Sequence, residues 1–202
     1  MKKSLGARLI FIAAAAGVLL AGAVLLSTRL HPHAYAGNAL ATPLPAYDFS
    51  LTGSDQKSYH LSDLHGKLVL LYFGYTACPD ECPTTTAILE RVINQLGSRA
   101  GEVQVMMITV DPQKDTPPVL QAYFAKFGGR ILGLTGDPGA ITQTAKHYGV
   151  FFQKQAAVDG TYSIQHTLLL ELIDRQGNIR LMYPYNTPAE SITADVAYML
   201  NQ

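Results

Sequence analysis

The sequence predicts an α/β sandwich around a mostly parallel or mixed central sheet, preceded by one apolar N-terminal segment. A continuous apolar run at Leu68–Phe73, bounded by glycines, is typical of a central strand buried on both faces. Apolar residues recur at helical spacing between Pro83 and Leu96, which indicates an amphipathic helix. Strand and helix patterns of these kinds alternate from Tyr47 onward, and this alternation predicts the fold class.

The strand patterns follow one another along the chain, separated by turn residues and helices. The first two are spaced as a hairpin around Gly53-Ser54-Asp55, and the last two as a hairpin that turns at Asp174-Arg175-Gln176-Gly177. In chain order the predicted strands are Asp48–Leu51, Ser58–Leu61, Lys67–Tyr75, Val103–Val110, Ile131–Thr135, Thr167–Ile173 and Ile179–Tyr183.

Each predicted helix begins at a proline. The second is entered through Asp115-Thr116-Pro117, and Pro is favoured at the first helical position because its fixed φ already suits the helix. The predicted helices are Pro83–Leu96, Pro117–Phe127, Pro138–Tyr148 and Pro188–Leu200.

Composition excludes several classes of protein. The chain has 15 Lys and Arg against 15 Asp and Glu, so it lacks the basic excess that is usual in nucleic-acid-binding domains. Its hydrophobic fraction of 48% argues against a disordered chain, and its two cysteines exclude a disulfide-dense scaffold. Because the first 36 residues carry four cations and no acid, the remainder is mildly acidic.

The N-terminal segment Leu9–Leu26 contains no charged side chain. Its length reaches the lower range for a membrane-spanning helix and exceeds that of a usual signal-peptide core. Lys2, Lys3 and Arg8 precede it, so the positive-inside rule leaves the N-terminus in the cytoplasm. We expect an uncleaved anchor. The alternative is a signal peptide that is cut after Ala34-Tyr35-Ala36.

The predicted organisation is therefore an anchor or uncleaved signal at residues 1–27, a flexible Pro-containing tether at 28–45, and a folded domain at 46–202. Both interpretations of the N-terminus export the domain to a compartment in which disulfides persist. The N-terminus is too short and too poor in Arg for a mitochondrial presequence. We therefore expect the bacterial inner membrane, with a single pass and the soluble domain in the periplasm.

The two cysteines, Cys78 and Cys82, lie where the central strand ends and the first long helix begins. If Cys78 starts that helix, Cys82 lies on the same helical face, and the unpaired N–H groups of the first turn stabilise thiolates. Three interpretations stay open: a structural disulfide, a thiol–disulfide exchange site, or a soft-metal site. A third ligand is needed to decide between them.

Among the six histidines, His166 is the candidate for that ligand, because it directly precedes the predicted core strand Thr167–Ile173. The N-terminal pair falls in the predicted tether, the next pair is expected at the surface near the far end of the central strand, and the fifth is expected to be half-buried in a helix. These five are His31, His33, His60, His65 and His147.

Together these residues resemble the Sco/SenC family, over about residues 46–200. The motifs that carry the resemblance are Leu71-Tyr72-Phe73-Gly74-Tyr75-Thr76-x-Cys78-Pro79-Asp80-x-Cys82-Pro83-Thr84-Thr85, Thr109-Val110-Asp111-Pro112, Asp115-Thr116-Pro117, and His166 before a strand. The family consists of membrane-anchored, thioredoxin-like copper proteins that serve cytochrome c oxidase assembly.

The resemblance implies a thioredoxin-like sandwich with a central mixed sheet flanked by helices. It also implies that copper is bound by Cys78, Cys82 and His166 and delivered to the dinuclear CuA centre of an oxidase subunit. Two thiolates and an imidazole suit Cu(I), and Cu(II) would add a water or a carboxylate. The expected partners are the CuA-bearing subunit, another periplasmic copper chaperone as the donor, and the inner membrane, with no nucleic acid.

Two positions depart from the family pattern. Glu81 stands between the cysteines where an aliphatic residue is common, and Gln165 precedes the histidine where Asp is common. The second departure removes a carboxylate that would orient the imidazole. For Asp111 and Asp115 we expect local roles: Asp111 in the turn before Pro112, and either Asp115 or Thr116 as the cap of the next helix.

Two other functions remain as alternatives. The cysteines could form a redox-active pair in a thiol–disulfide oxidoreductase that reduces the CuA-site cysteines, or they could serve a peroxidase. His166 separates these hypotheses from copper transfer, because thiol exchange needs no imidazole at that position.

Overall fold

The computed structural model of the chain describes residues 13–20, 22, 33–156 and 162–202. The strands of this described part are β1 (Asn38–Pro45), β2 (Ser50–Gly53), β3 (Ser58–His60), β4 (Leu68–Gly74), β5 (Val103–Thr109), β6 (Leu132–Thr135), β7 (Phe152–Ala156), β8 (Tyr162–His166), β9 (Leu169–Ile173) and β10 (Asn178–Pro184). The helices that follow β4 are α1 (Glu81–Leu96), α2 (Pro117–Ala125), α3 (Pro138–His147) and α4 (Ala189–Met199).

One mixed sheet contains all of these strands except β7 and β8. Its order is β1-β10-β9-β4-β5-β6-β2-β3, while β7 and β8 form a separate two-stranded sheet. The central strands β4, β5 and β6 are parallel, and the outer pairings are antiparallel. The predicted α/β sandwich with a mixed central sheet is therefore confirmed.

The central strand β4 is buried along its whole length, as its apolar run predicts. Leu68, Leu70 and Tyr72 face a cluster to which α1, α2 and α4 contribute. The alternate residues Val69 and Leu71 face a second cluster, which includes side chains of α3 and of the β7–β8 hairpin. Successive strand residues point to opposite faces, so a strand covered on both sides must be apolar throughout.

Strand β9 runs antiparallel to β4, and this pairing positions the candidate site. Its register places Tyr72 opposite Leu170 and Leu71 opposite Glu171. The end of β4 therefore lies beside the start of β9. The chain leaving β4 carries the two cysteines, and the chain entering β9 carries His166, so residues distant in the sequence meet at one edge of the sheet.

The N-terminal region forms a separate compact unit, with the division between Ala34 and Tyr35. Residues 13–20 and 22 are helical and exposed. No helix within the described residues is both long and apolar enough to cross a bilayer. The predicted anchor Leu9–Leu26 lies in part outside the described residues and stays a prediction.

The segment predicted as a tether, residues 28–45, differs from the structure in its second half. Asn38–Pro45 form the edge strand β1, which pairs with β10, and the backbone N–H groups of Ala36 and Gly37 donate to Asp195. An edge strand tolerates proline because part of its backbone makes no ladder hydrogen bond. Most side chains of β1 are exposed, so no hydrophobic periodicity marks it.

The hairpin of β7 and β8 was not predicted. Most of its residues are exposed, so the hydrophobic pattern that marks a core strand is missing. The predicted strand Thr167–Ile173 is correspondingly shorter, because β9 begins at Leu169 and His166 is the last residue of β8.

Candidate metal centre

Three side chains converge at the edge of the sheet where β4 ends. One ligand atom from each of Cys78, Cys82 and His166 lies within 4.8 Å of the other two. Within the described part of the chain, this is the one group of three or more His, Cys, Asp or Glu side chains arranged to hold a metal ion. The predicted ligand set therefore comes together in the structure.

The cysteine loop differs in one respect from the expectation that Cys78 begins the helix. Helix α1 begins at Glu81, so Cys78 lies in the preceding turn and Cys82 in the first helical turn. The reason is Pro79, whose ring disfavours helical backbone in the residue before it. The two cysteines still lie close together, because the backbone N–H of Cys82 donates to Cys78 Sγ at 3.4 Å.

Both cysteines are free thiols in the structure, and both are buried. The hydrogen bond between the two thiols lowers the pKa of Cys78 to about 3, against the opposing effect of burial, with further help from His166. The same hydrogen bond, followed by burial, raises the pKa of Cys82. These opposite pKa shifts favour Cys78 as the thiolate of the pair and Cys82 as the thiol.

The imidazole of His166 is oriented by the backbone. Its Nδ1 lies 3.1 Å from the carbonyl oxygen of Thr167, and a carbonyl can only accept, so Nδ1 carries the proton in this contact. Nε2 then faces the cysteines, 3.9 Å from Cys82 Sγ. The carbonyl thus supplies the orientation that a carboxylate at Gln165 would have given.

Three further residues shape the site; the sequence placed the charge of Glu81 beside the metal, whereas the roles of Tyr75 and Gly74 were not predicted. The Tyr75 ring stands edge-on to the His166 ring, with 6.0 Å between the ring centroids. Glu81 Oε2 lies 3.3 Å from Cys78 Sγ, so a carboxylate oxygen that could also bind a metal ion lies beside the sulfur. At Gly74 an added Cβ would lie 2.9 Å from Cys82 Sγ, so only glycine leaves that sulfur its space. The one available signal was the position of Gly74 and Tyr75 in the cysteine motif.

Asp111 and Asp115 are not confined to the local roles predicted for them. Thr116 precedes α2 without a side-chain cap, and Asp115 instead accepts from the Thr76 backbone and from the Thr76 and Thr109 hydroxyls. Asp111 does form the predicted turn, through its carbonyl and the N–H of Lys114. Its buried carboxylate, however, contacts the β7–β8 hairpin. Both acids therefore link distant segments.

The remaining histidines lie elsewhere. His60 and His65 are exposed, as predicted. His147 is exposed rather than half-buried, because it is the last residue of α3. Its ring stacks on the ring of Tyr47, with centroids 3.9 Å apart. His33 belongs to the N-terminal unit, and His31 lies outside the described residues.

The site adjoins a narrow surface groove, which Cys82 and His166 line. Leu168 and Tyr185, which are 36% and 41% exposed, form part of its wall. Apolar side chains exposed beside a polar site are typical of surfaces that bind a partner or ligand. The donor set of two sulfurs and one nitrogen suits a soft metal ion such as Cu(I).

Comparison with known proteins agrees with this site. A family model described as SCO1/SenC matches residues 39–201. The chain is 33% identical over 155 residues to Protein SCO1 homolog 1, mitochondrial, of Arabidopsis thaliana, which covers 76% of this chain and 46% of that protein. The chain spans about half the length of the curated relatives that it matches first.

Two solved structures are similar over nearly their whole length. ScoI of Bradyrhizobium japonicum with copper bound has a TM-score of 0.72 and 34% identity, covering 77% of this chain and 99% of that one. Apo Sco1 of Thermus thermophilus has a TM-score of 0.74 and 36% identity, covering 82% and 97%. The implied thioredoxin-like fold is thereby confirmed, and the chain belongs to the SCO1/SenC family.

Proposed function

We propose that this protein binds copper through Cys78, Cys82 and His166 and delivers it to the CuA centre during cytochrome c oxidase assembly. The observation that carries the proposal is the convergence of two sulfurs and one imidazole nitrogen within 4.8 Å. A similar ScoI structure has copper bound, which supports copper as the metal. Cu(I) is the expected valence, and Glu81 offers the additional oxygen that Cu(II) would take.

The chain's own residues prepare the site for metal. The lowered pKa of Cys78 favours its thiolate, and Cys82, whose pKa is raised, must release its proton when it becomes a ligand. Thr167 holds the imidazole so that Nε2 is the free nitrogen. Because a chaperone must release its cargo, a half-buried histidine beside an open groove is a suitable third ligand.

The proposed partners follow from the groove and from the family. The exposed Leu168 and Tyr185 beside the site offer an apolar contact for the CuA-bearing subunit, and for a periplasmic copper chaperone acting as the donor. We place the domain in the periplasm, attached by residues 1–27 to a bacterial inner membrane. The support is the uncharged stretch Leu9–Leu26 and the cations before it.

A second candidate function is reduction of the CuA-site cysteines, and the lowered pKa of Cys78 favours it. The Cys78 thiolate would attack a target disulfide and release one target sulfur as a thiolate, which takes the proton of Cys82. Cys82, having lost its proton, would then attack Cys78 Sγ, release the second target thiol and leave the Cys78–Cys82 disulfide. Two electrons would thus pass to the target. His166 has no step in this reaction.

Cu(I) titration of single-site variants of the full chain, with a competing chelator, separates the two functions. His166→Ala should lose more than about tenfold in Cu(I) affinity while keeping thiol–disulfide exchange, because both sulfurs remain. Cys78→Ser and Cys82→Ser should lose both properties. His147→Ala is the matched control, since His147 is exposed on α3 and should leave both unchanged.

The same variants should be tested for CuA assembly in a strain that lacks the native protein. His166→Ala should fail to restore CuA, whereas the His147→Ala control should restore it. If His166→Ala binds copper like the wild type and still supports CuA assembly, the three-ligand hypothesis is wrong. The oxidoreductase would then be the better explanation.

A further inference from the structure

The ligand His166 stands on a hairpin that the main sheet does not hold. β7 and β8 pair only with each other, from Phe152 opposite His166 to Ala156 opposite Tyr162. Within the described residues of the hairpin, therefore, no ladder of backbone hydrogen bonds ties it to β4, which leads to the cysteines. The chain connection to β9 brings His166 to this edge of the sheet, and side-chain contacts must then fix the hairpin that carries it relative to the two sulfurs.

One buried carboxylate receives contacts from both strands of the hairpin. The Tyr162 hydroxyl of β8 donates to Asp111 Oδ2 at 2.6 Å. Lys154 Nζ of β7 lies 3.0 Å from Asp111 Oδ1. Asp111 itself is only 1% exposed, and its backbone N–H donates to the Thr109 hydroxyl at the end of β5. The hairpin is thus attached to the end of a central strand.

The charges around Tyr162 strengthen this attachment. The ammonium groups of Lys114 and Lys154 lie 3.8 Å and 4.5 Å from the centre of its ring, close enough for cation–π attraction. A buried carboxylate that loses a partner keeps its charge without compensation, which is costly. Asp111 therefore favours the one hairpin position in which Tyr162 and Lys154 both reach it.

The same loop between β5 and α2 also holds the cysteine side of the site. Asp115, four residues after Asp111, accepts from the backbone N–H of Thr76, which lies between β4 and Cys78. The Tyr75 hydroxyl meanwhile accepts from the backbone N–H of Ile164 in β8. One loop thus contacts both of the segments that carry ligands.

We propose that Asp111 is a positioning residue for metal binding: through Tyr162 and Lys154 it holds the β7–β8 hairpin so that His166 Nε2 faces the two sulfurs. The inference rests on the proposed copper-binding function. The Asp111–Tyr162 contact then sets the distance between the histidine and the cysteines. This role goes beyond the turn that Asp111 forms at Pro112.

Tyr162→Phe tests the proposal, because it keeps the ring and removes only the hydroxyl. In the full chain we expect Cu(I) affinity to fall about tenfold, within the range for losing a hydrogen bond to a charged group. The alkylation rate of the cysteines should not change. The matched control is Tyr59→Phe, which removes a tyrosine hydroxyl that donates to Asp55 at 3.0 Å, on an edge strand of the main sheet.

A double-mutant cycle distinguishes positioning of His166 from a general structural role. If Tyr162 acts through the imidazole, Tyr162→Phe should cause no further loss of affinity in a His166→Ala background. Asp111→Asn is a second variant and should behave in the same way. The proposal would be overturned if Tyr162→Phe lowered Cu(I) affinity equally with and without His166. It would also be overturned if Tyr162→Phe caused no loss of affinity with His166 present.

Amide hydrogen exchange of the copper-free protein supplies a readout that is independent of copper. Tyr162→Phe should speed exchange in β8 relative to wild type, whereas Tyr59→Phe should not. If the wild type binds no Cu(I), the proposed function fails, and the exchange result still decides whether the contact holds the hairpin. Unchanged exchange in β8 would then overturn the positioning role.

Discussion

Glu171 in β9 is a carboxylic acid inside an apolar core, and replacing it should make the protein more stable at neutral pH. It is 2% exposed, and neither of its carboxylate oxygens has a hydrogen-bond partner among the described residues. Its strand neighbours are Leu71 and Met182. Burial raises its pKa from 4.5 to about 8, because the charged form cannot be solvated there.

The sign of the effect follows from this raised pKa. Below about pH 4.5, Glu171 is protonated in the folded and the unfolded chain, and it costs no electrostatic free energy. As the pH rises from there to about 8, the unfolded chain ionises while the folded chain keeps its proton. The free energy of unfolding therefore falls by about 1.4 kcal/mol per pH unit, or about 3 kcal/mol between pH 5 and pH 7.

Urea unfolding of the reduced, copper-free chain at about pH 5 and pH 7 measures this difference. Glu171→Gln cannot ionise, so its stability relative to wild type should rise by about 3 kcal/mol between the two pH values. The control is Glu102→Gln, because Glu102 is partly exposed and hydrogen bonding to Arg99 lowers its pKa. If wild type and Glu171→Gln keep a constant stability difference across this range, the carboxyl is not desolvated as argued.

Three further predictions concern the metal site and the N-terminus. Gly74→Ala should lower Cu(I) affinity roughly tenfold without replacing any ligand, because the new Cβ displaces Cys82 Sγ. An unchanged affinity, measured by chelator competition, would contradict this prediction. Copper and a Cys78–Cys82 disulfide should exclude one another, so stoichiometric copper recovered with the disulfide intact would refute a thiolate site. Leu9–Leu26 should stay attached in protein purified from membranes, and N-terminal sequencing that begins at Gly37 would show cleavage instead.

The parts of the fold that could be predicted are those in which burial determines residue type. β4 is apolar on both faces because helices and loops cover both faces, and α1 shows an apolar stripe because one side packs on the sheet. β1 and the β7–β8 hairpin were missed for the opposite reason. Backbone pairing holds them while most of their side chains remain exposed, so no periodicity marks them.

Contacts between segments that lie far apart along the chain could not be predicted from the sequence either. Asp111 is followed by proline and Asp115 lies near a helix start, so local roles were the natural prediction from the sequence. Their actual partners, Tyr162 and Thr76, are 51 and 39 residues away along the chain. Only the packing of the hairpin and the cysteine loop around the end of β5 reveals these pairs.

The assignment of the metal ligands rests on the register of β9 and not on the spacing of the cysteines. The spacing of the cysteines places both on one helical face only if Cys78 begins the helix, and the helix begins three residues later. Close cysteines alone would still permit exchange or a disulfide. Since β9 pairs antiparallel with β4, however, the chain that enters β9 must arrive where β4 ends, and His166 lies three residues before β9 begins. An imidazole held at this position by Thr167, with its free nitrogen toward the sulfurs, has a use in metal binding and none in thiol exchange.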